Sequence, residues 1–224
     1  MKKLGVATIG QAPRPDAGPI LEKHLGGKAE LVQVGVLDGM SEAEVNERLA
    51  PAKGQYTLTS RLTNGVSVVM AREKIEPILQ EKIDGLEKEG CEQILVLCTG
   101  VFHNLKTKSA YLIEPDQIIT PTVAAMVKGR RFGVIVPLPD QAASLADKWQ
   151  PHGVEPLYAA ASPYEFQRDT LEAAAVSLQQ QGAEIILLDC MGYVEEMRQI
   201  AGEASGLPVI LSNAIMAKII SEML

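Results

Sequence analysis

The sequence predicts an α/β protein built from two similar halves, and three observations lead to that prediction. First, residues 90–100 (GCEQILVLCTG) and residues 182–192 (GAEIILLDCMG) are identical at six of eleven positions in an ungapped alignment. Second, each copy is an apolar run between glycines, which is the pattern of a buried parallel strand. Third, hydrophobic residues make up 46% of the chain and aromatic residues only 4%, so its core is aliphatic, as in parallel sheets.

The first half is predicted to alternate strands and helices around one inserted hairpin. The proline- and glycine-rich segment GQAPRPDAG excludes a long regular element after the first strand. Ser41 and Glu44 form a capping box that begins a helix, and Asn64-Gly65 predicts the hairpin turn. The expected elements are strand 3–9, helix 20–25, strand 29–36, helix 42–49, hairpin strands 55–59 and 62–69, helix 71–89, the first cysteine strand, a short strand ending at Thr120, and helix 121–128.

The second half restarts the same pattern, because RRFGVIV at 130–136 resembles KKLGVATI at 2–9 and a proline-rich turn follows both. Right-handed crossovers then make each half a parallel sheet flanked by helices. We expect one lobe from residues 1–113 with 208–224, and a second from residues 114–207. The expected elements are helix 141–149, strand 154–160, helix 164–181, the second cysteine strand, helix 194–204, strand 208–211 and helix 213–223.

Composition excludes several classes of partner. The net charge of −7 argues against a nucleic-acid-binding surface, which needs a basic face. No apolar run approaches the roughly 18 residues that span a bilayer, and MKKLGVATIG is predicted to be a first strand and not a signal peptide. Three cysteines without a disulfide framework indicate a reducing compartment, so we expect a cytoplasmic protein.

Three segments carry a resemblance to a known family. VATIGQAPRPD, LVLCTG and LLDCMGY resemble the AroM family of bacteria, and the match extends over essentially the whole chain. The paired strand-end cysteines are similar to those of the aspartate/glutamate/hydantoin racemase superfamily. The resemblance implies two pseudo-symmetric flavodoxin-like lobes with a cleft between them and one cysteine on each side. The family name also implies a link to aromatic (shikimate) metabolism, and hence a cyclic or aromatic carboxylate.

Cys98 and Cys190 are the candidate catalytic residues. A C–H next to a carboxylate is a very weak acid, so its removal needs a positioned base and a stabilised enolate. A thiolate base on one face and a thiol acid on the other would invert the carbon. A helix is expected soon after Cys190, which favours its thiolate, whereas no clear helix follows Cys98. The alternative is that these cysteines fill the core, as we expect of Cys91.

The resemblance also implies that turns after the strands bind the substrate. Arg14 and Arg61 are candidates for bidentate carboxylate binding, with a solvated surface position as the alternative. The cysteines are followed by Thr-Gly and Met-Gly, where amino-acid racemases have Asn-Thr or Thr-His, which argues against glutamate or aspartate as substrate. Asp189 is expected to make a cap or turn bond. The candidate substrate-binding residues are Thr8, Gly10, Gln11, Arg14, Arg61, Thr99, Gly100, Met191, Gly192 and Tyr193.

The sequence therefore predicts a cofactor-independent racemase, epimerase or isomerase that acts at carbon next to the carboxylate of a small organic acid. The alternative is a catalytically inactive carboxylate-binding protein on the same fold. No Walker loop or dinucleotide fingerprint is present, and His24, His103 and His152 lack the spacing of a metal site, so we expect neither cofactor nor metal. The expected partner is a small carboxylate or similar anion in the cleft. The sequence does not decide between a monomer and a homodimer.

Overall fold

The computed structural model describes residues 2–224, which divide into two compact units. Unit 1 comprises residues 2–116 and 217–224, and unit 2 comprises residues 117–216. Each unit has its own four-stranded parallel sheet flanked by helices, as the sequence predicts.

Unit 1 contains a sheet in the strand order β2-β1-β5-β6 and a separate two-stranded hairpin of β3 and β4. All neighbours in the four-stranded sheet are parallel, and the hairpin is antiparallel. Helix α4 leads from unit 1 into unit 2. The elements are β1 (Lys2–Thr8), α1 (Gly18–Leu25), β2 (Ala29–Gly35), α2 (Glu42–Leu49), β3 (Thr57–Arg61), β4 (Ser67–Ala71), α3 (Arg72–Lys88), β5 (Gln93–Leu97), β6 (Tyr111–Ile113) and α4 (Pro115–Met126).

Unit 2 repeats this topology with the strand order β8-β7-β9-β10, again all parallel. Strands β7 and β9 therefore correspond to β1 and β5 of unit 1. Helix α8 begins in unit 2 and ends in unit 1. The elements are β7 (Phe132–Val136), α5 (Gln141–Trp149), a short 3-10 helix (Gln150–His152), β8 (Leu157–Ala160), α6 (Arg168–Gln180), β9 (Ile185–Leu188), α7 (Glu195–Ser205), β10 (Val209–Leu211) and α8 (Ser212–Met223).

The repeat extends to side-chain packing. A Cβ atom added to Gly5 of β1 would lie 3.0 Å from Leu86 Cδ1 of α3. In unit 2, a Cβ atom added to Gly133 of β7 would lie 2.9 Å from Leu178 Cδ1 of α6. In both units the first strand thus carries a glycine because a leucine of the covering helix packs directly on its backbone.

Helix α3 shows why these helices form where they do. Its buried residues Ile75, Leu79, Ile83 and Leu86 recur at intervals of three and four, so they make one apolar stripe against the sheet. Most of the other residues of the helix are charged. Within the described residues 2–224, no helix is both long enough and apolar enough to cross a membrane.

The structure corrects the prediction of a strand ending at Thr120 and a helix beginning at Pro121. Residues 117–120 lie inside α4, which begins at Pro115, and the strand of this region is the three-residue β6. The run Ile118, Ile119 and Thr120 is β-branched and therefore resembles a strand. Ile119 and Thr120 instead lie on the buried face of α4 with Val123, and short apolar runs suit either element.

The predicted position of the last strand is also corrected. Residues 208–224 were expected in the first lobe, but Val209–Leu211 pairs in parallel with β9 and so belongs to the sheet of unit 2. Residues 217–224 do lie in unit 1. There the amide of Gln93 donates to the carbonyl of Met223 at 3.0 Å, and the Lys28 ammonium donates to the carbonyl of Ser221 at 2.6 Å.

Two local predictions are confirmed in detail. Ser41 caps α2 in a full capping box with Glu44, because each side chain bonds to the other residue's backbone N–H. The inserted hairpin pairs β3 with β4, and Gly65 in its turn has φ of +90°, a conformation that favours glycine. The hairpin strands begin two to five residues later than expected.

The long segment between β5 and β6 is fixed by one carboxylate of α3. Glu87 accepts the backbone N–H groups of Lys108, Ser109 and Ala110 at 2.6–3.1 Å. These bonds, with the Ala110 N–H contributing most, lower the pKa of Glu87 to about 2. The ionised carboxylate therefore holds the end of a segment that has little regular structure of its own.

This arrangement predicts a defined pH dependence of stability. Because the folded-state pKa of Glu87 lies below its ordinary value of 4.5, its stabilising contribution is present above about pH 4.5 and is lost as the pH falls towards about 2. Glu87→Gln should lower the free energy of unfolding at pH 7, and the difference from wild type should shrink between pH 4.5 and 2. Urea unfolding across this range measures it. Glu81→Gln, at an exposed position of the same helix, should show no such convergence.

Candidate active site

Both candidate cysteines follow the third strand of their sheet and adopt the same local structure. The Cys98 Sγ accepts the backbone N–H of Gly100 at 3.2 Å, and the Cys190 Sγ accepts that of Gly192 at 3.4 Å. The two residues are 8% and 9% exposed. An N–H donor favours the anionic thiolate over the neutral thiol. Each Cys-x-Gly turn thus holds a nearly buried sulfur at the carboxyl edge of a parallel sheet.

Another part of each unit packs against the glycine of its turn, in the space that a side chain would occupy. A Cβ atom on Gly100 would lie 2.7 Å from Leu58 Cδ2 of the hairpin. A Cβ atom on Gly192 would lie 2.4 Å from Tyr164 Cε1, in the segment between β8 and α6. The hairpin therefore covers the Cys98 turn, and a tyrosine ring covers the Cys190 turn.

Arg14 is buried beside the end of β1 and is not a solvated surface residue. It is 2% exposed, and its guanidinium pairs with both carboxylate oxygens of Asp16 at 2.9 and 2.6 Å. Its Nη1 donates to Thr8 Oγ1 at 2.8 Å and Ser60 Oγ at 3.3 Å. Thr8 Oγ1 also accepts the Gly10 N–H at 3.3 Å. Arg14 thus links strand β1, the turn after it and the hairpin.

Gln11 has a similar structural task. Its side-chain amide donates to the carbonyls of Leu37 and Met40 at 3.0 and 2.8 Å. Its side-chain oxygen accepts the backbone N–H and the hydroxyl of Thr63 at 2.8 and 3.0 Å. Both donors and both acceptor positions of the amide are in use, so the side chain fastens the hairpin to the loops after β1 and β2.

The other unit 1 candidates lie close to this junction. A Cβ atom on Gly10 would lie 2.3 Å from Ser60 Oγ and 2.6 Å from the Arg61 carbonyl oxygen, so the hairpin rests directly on Gly10. Arg61 is half-buried, and its Nη2 lies 3.3 Å from the Cβ position of Gly65 in the hairpin turn. It takes part in none of the ion pairs described for residues 2–224. Thr99 is buried next to Cys98.

In unit 2, the residue before Cys190 forms a buried ion pair. Asp189 Oδ2 lies 2.9 Å from the Nζ of Lys148, and both side chains are 1% exposed. This ion pair was not part of the expectation for Asp189, which was a cap or turn bond. The sequence did contain a signal, because Leu145, Lys148 and Trp149 share one buried face of α5, and a charge on such a face needs a partner.

Tyr193 and Met191 complete the Cys190 turn. Tyr193 is 1% exposed, and its hydroxyl donates to the Ala161 carbonyl at 2.7 Å. Burial raises the pKa of Tyr193 well above its ordinary value, and nearby Cys190 and Asp189 add to the effect, so the phenol stays neutral. The amide of Asn213, from α8, donates to the carbonyls of Met191 and Tyr193. These bonds give Tyr193 a structural role in the turn.

Two further titratable residues, Cys91 and His103, lie outside the two Cys-x-Gly turns. Cys91 is buried, and burial raises the pKa of its thiol, with Glu89 adding to the effect. His103 is exposed, and its Nε2 lies 3.2 Å from the Nη1 of Arg72. Among the described residues, no group of three or more His, Cys, Asp or Glu side chains is placed to hold a metal ion.

Comparison with known proteins assigns the chain to a family. A family model described as AroM protein matches residues 4–224. The chain belongs to the AroM protein family. No match was found among curated proteins.

Solved structures of similar fold come from racemases and a decarboxylase. Unliganded arylmalonate decarboxylase aligns with a TM-score of 0.60 at 12% identity, over 100% of this chain and 92% of that one. Glutamate racemase from Aquifex pyrophilus aligns with a TM-score of 0.61 at 12% identity, over 99% and 84%. An aspartate racemase homologue from Pyrococcus horikoshii OT3 aligns with a TM-score of 0.55 at 12% identity, over 100% and 99%. The AroM chain therefore has the same fold as these proteins.

The contact between the hairpin and Gly10 predicts a large difference between two glycine substitutions. Gly10→Ala should destabilise the protein by about 1–3 kcal/mol, because the new methyl group overlaps Ser60 and the backbone of Arg61. Gly85→Ala should be neutral or stabilising by up to about 1 kcal/mol, because Gly85 lies in α3 with open space around its Cβ position. Urea unfolding measures both. Equal effects would contradict the close packing of the hairpin on Gly10.

The buried ion pair predicts a non-additive double mutant. Lys148→Met should lower the free energy of unfolding by about 3–5 kcal/mol, because it leaves the Asp189 carboxylate buried without this cation. Adding Asp189→Leu should restore most of the loss, since Leu97 occupies the corresponding position before Cys98. Denaturant unfolding of both single variants and the double variant gives the coupling energy. A double variant as unstable as Lys148→Met would refute this account.

Proposed function

We propose that this AroM protein is a cofactor-independent enzyme that moves a proton at the carbon next to the carboxylate of a small organic acid, as a racemase, epimerase or isomerase. Cys98 and Cys190 are the proposed proton-transferring groups. The observation that supports this most is the repeated Cys-x-Gly turn, in which a glycine N–H donates to each sulfur. This bond favours the thiolate, which is the form of cysteine that can act as a base.

The proposed reaction balances with protein groups alone. A thiolate takes the proton from carbon, so that an S–H bond forms, the C–H bond breaks and the electron pair passes into the carboxylate as an enolate. A thiol then returns a proton to the carbon. Such acid–base participation contributes about 10²–10⁴-fold to a rate. Racemisation and protonation after decarboxylation share this last step, which agrees with the names of the proteins of similar fold.

Substrate binding is proposed to depend on fewer side chains than the sequence suggested. Arg14 already pairs with Asp16, the Gln11 amide is fully hydrogen-bonded and the Tyr193 hydroxyl bonds to a carbonyl. Arg61 is half-buried on the hairpin that covers the Cys98 turn. We therefore propose Arg61 as the cation for the carboxylate, since guanidinium pairs with carboxylate bidentately.

A second candidate function is a carboxylate-binding protein without catalysis. It is favoured by the low exposure of both cysteines, 8% and 9%, which is also typical of cysteines that only pack. The two functions differ in thiol chemistry. An enzyme should have reactive thiols that a bound ligand protects from alkylation, whereas a binding protein should have thiols that are inert with or without ligand.

Deuterium exchange tests the proposed function. In D₂O, the wild-type protein should incorporate deuterium at the α-carbon of at least one acid in a panel of aliphatic, cyclic and aromatic carboxylates, measured by NMR and mass spectrometry. Cys98→Ser and Cys190→Ser should each reduce the exchange rate by at least about 10²-fold. Arg61→Gln should raise the KM more than it lowers kcat, because it removes binding charge and no proton-transfer group.

Cys91→Ala is the matched control, because Cys91 is the third thiol of the chain and lies in the core of unit 1. It should retain the exchange rate. Loss of exchange in only one of the two serine variants would mean one base and one binding group. No exchange on the whole panel, together with inert thiols, would favour the binding protein.

A further inference from the structure

Tyr164 brings a second polar group to the sulfur of Cys190. Its hydroxyl oxygen lies 3.3 Å from the Sγ, within hydrogen-bonding distance, and either atom can be the donor. Tyr164 belongs to the segment between β8 and α6 and is only partly buried. The sequence predicts that Tyr164 begins a helix and indicates no role for it, because nothing in the chain order connects it to Cys190, 26 residues away.

The position of the phenol is fixed from two sides. The ring lies on Gly192 so closely that a Cβ atom there would come within 2.4 Å of Cε1 and 2.7 Å of the hydroxyl oxygen. The backbone of the same segment is held by Ser162, whose Oγ accepts the N–H groups of Tyr164 and Glu165 at 3.2 and 3.3 Å. The glycine that donates its N–H to the Cys190 sulfur therefore also makes room for the tyrosine.

We propose that Tyr164 is a catalytic residue that sets the protonation state of the Cys190 thiol through this hydrogen bond. The inference rests on the proposed function in taking the Cys190 Sγ as a reacting atom. The phenol can donate its O–H to the thiolate and can accept the S–H of the thiol. The Gly192 N–H can only donate. A group that works as a base and then as an acid needs a partner suited to both forms.

The corresponding turn in unit 1 provides a comparison within the same chain. Gly100 is covered by Leu58, whose side chain has no hydrogen-bonding group, where Gly192 is covered by Tyr164. The amide-to-sulfur bond is common to both turns. Any effect of removing the phenol oxygen should therefore appear at Cys190, and Cys98 serves as an internal reference.

The test is the pH dependence of alkylation at each cysteine, with iodoacetamide as the probe and no substrate present. Site-specific modification rates come from peptide mass spectrometry. In Tyr164→Phe, the pH midpoint for Cys190 should rise by about one unit, and the rate below the midpoint should fall about tenfold, because the phenol's bond to the charged thiolate is stronger than its bond to the neutral thiol. The midpoint for Cys98 should not move. An unchanged Cys190 midpoint, or equal shifts at both cysteines, would overturn the proposal.

A second readout separates a chemical role from a structural one. If the exchange reaction is observed, Tyr164→Phe should lower its rate at neutral pH and regain most of it about one pH unit higher, whereas a packing defect would lower the rate at every pH. Tyr111→Phe is the control, since Tyr111 is an exposed tyrosine of unit 1. If the wild type shows no exchange but Tyr164→Phe shifts the Cys190 midpoint, the proposed function is rejected and the effect of the hydrogen bond on Cys190 is supported. If the wild type shows exchange but the midpoint does not shift, the role of Tyr164 is rejected.

Discussion

The hydrogen bond from a glycine N–H to the sulfur two residues earlier is the interaction on which both candidate sites depend. It fixes the sulfur at the end of a parallel strand, where backbone groups leave the sheet ladder and become available. The glycine that donates this bond also leaves space for a neighbouring side chain: Leu58 in unit 1 and Tyr164 in unit 2. One short sequence pattern thus determines the position of the sulfur, a charge-stabilising donor and the surface that closes over it.

The two units share the packing of helix on sheet but differ in the residues that surround the cysteine sulfur. The leucine that packs on the glycine of the first strand is the same in both, with Leu86 and Leu178 in equivalent places. Around the cysteines the units differ. Unit 1 has the inserted hairpin, joined to β1 by Arg14, and unit 2 has the buried pair of Asp189 and Lys148. Two copies of one turn therefore have different electrostatic surroundings, so the two thiols should differ in reactivity.

Much of this fold could be predicted from the sequence, because many of its local patterns favour only one structure. The capping box at Ser41 and the hairpin turn at Gly65 are each determined by neighbouring residues, and helix 141–149 has the predicted bounds. The errors arose where local and long-range effects disagree. The run before Pro121 has the β-branched residues typical of a strand but lies in helix α4. The last strand was expected in the first lobe but pairs with β9 and so joins the sheet of unit 2.

The candidate site was less predictable than the fold. The cysteines were found from the repeat, but Lys148 and Tyr164 were missed because their partners are distant in sequence, 41 and 26 residues away. Arg14 was assigned to a ligand because arginine binds carboxylate bidentately, and Gln11 because it follows the first strand, where the family resemblance implies a ligand-binding turn. In the structure, their hydrogen-bonding capacity is taken up by Asp16, Thr63 and backbone carbonyls. A residue type indicates what a side chain can bind, whereas only packing determines what it does bind.

The division of the chain has a consequence for the order in which the protein is completed during synthesis. Unit 1 includes residues 217–224, which are translated after every residue of unit 2. Unit 2 is therefore complete while unit 1 still lacks the segment whose carbonyls bond to Lys28 and Gln93. Domains that are continuous in sequence tend to fold from the N-terminus onward on the ribosome. In this protein the half that is made first receives its final segment only after the second half has been synthesised.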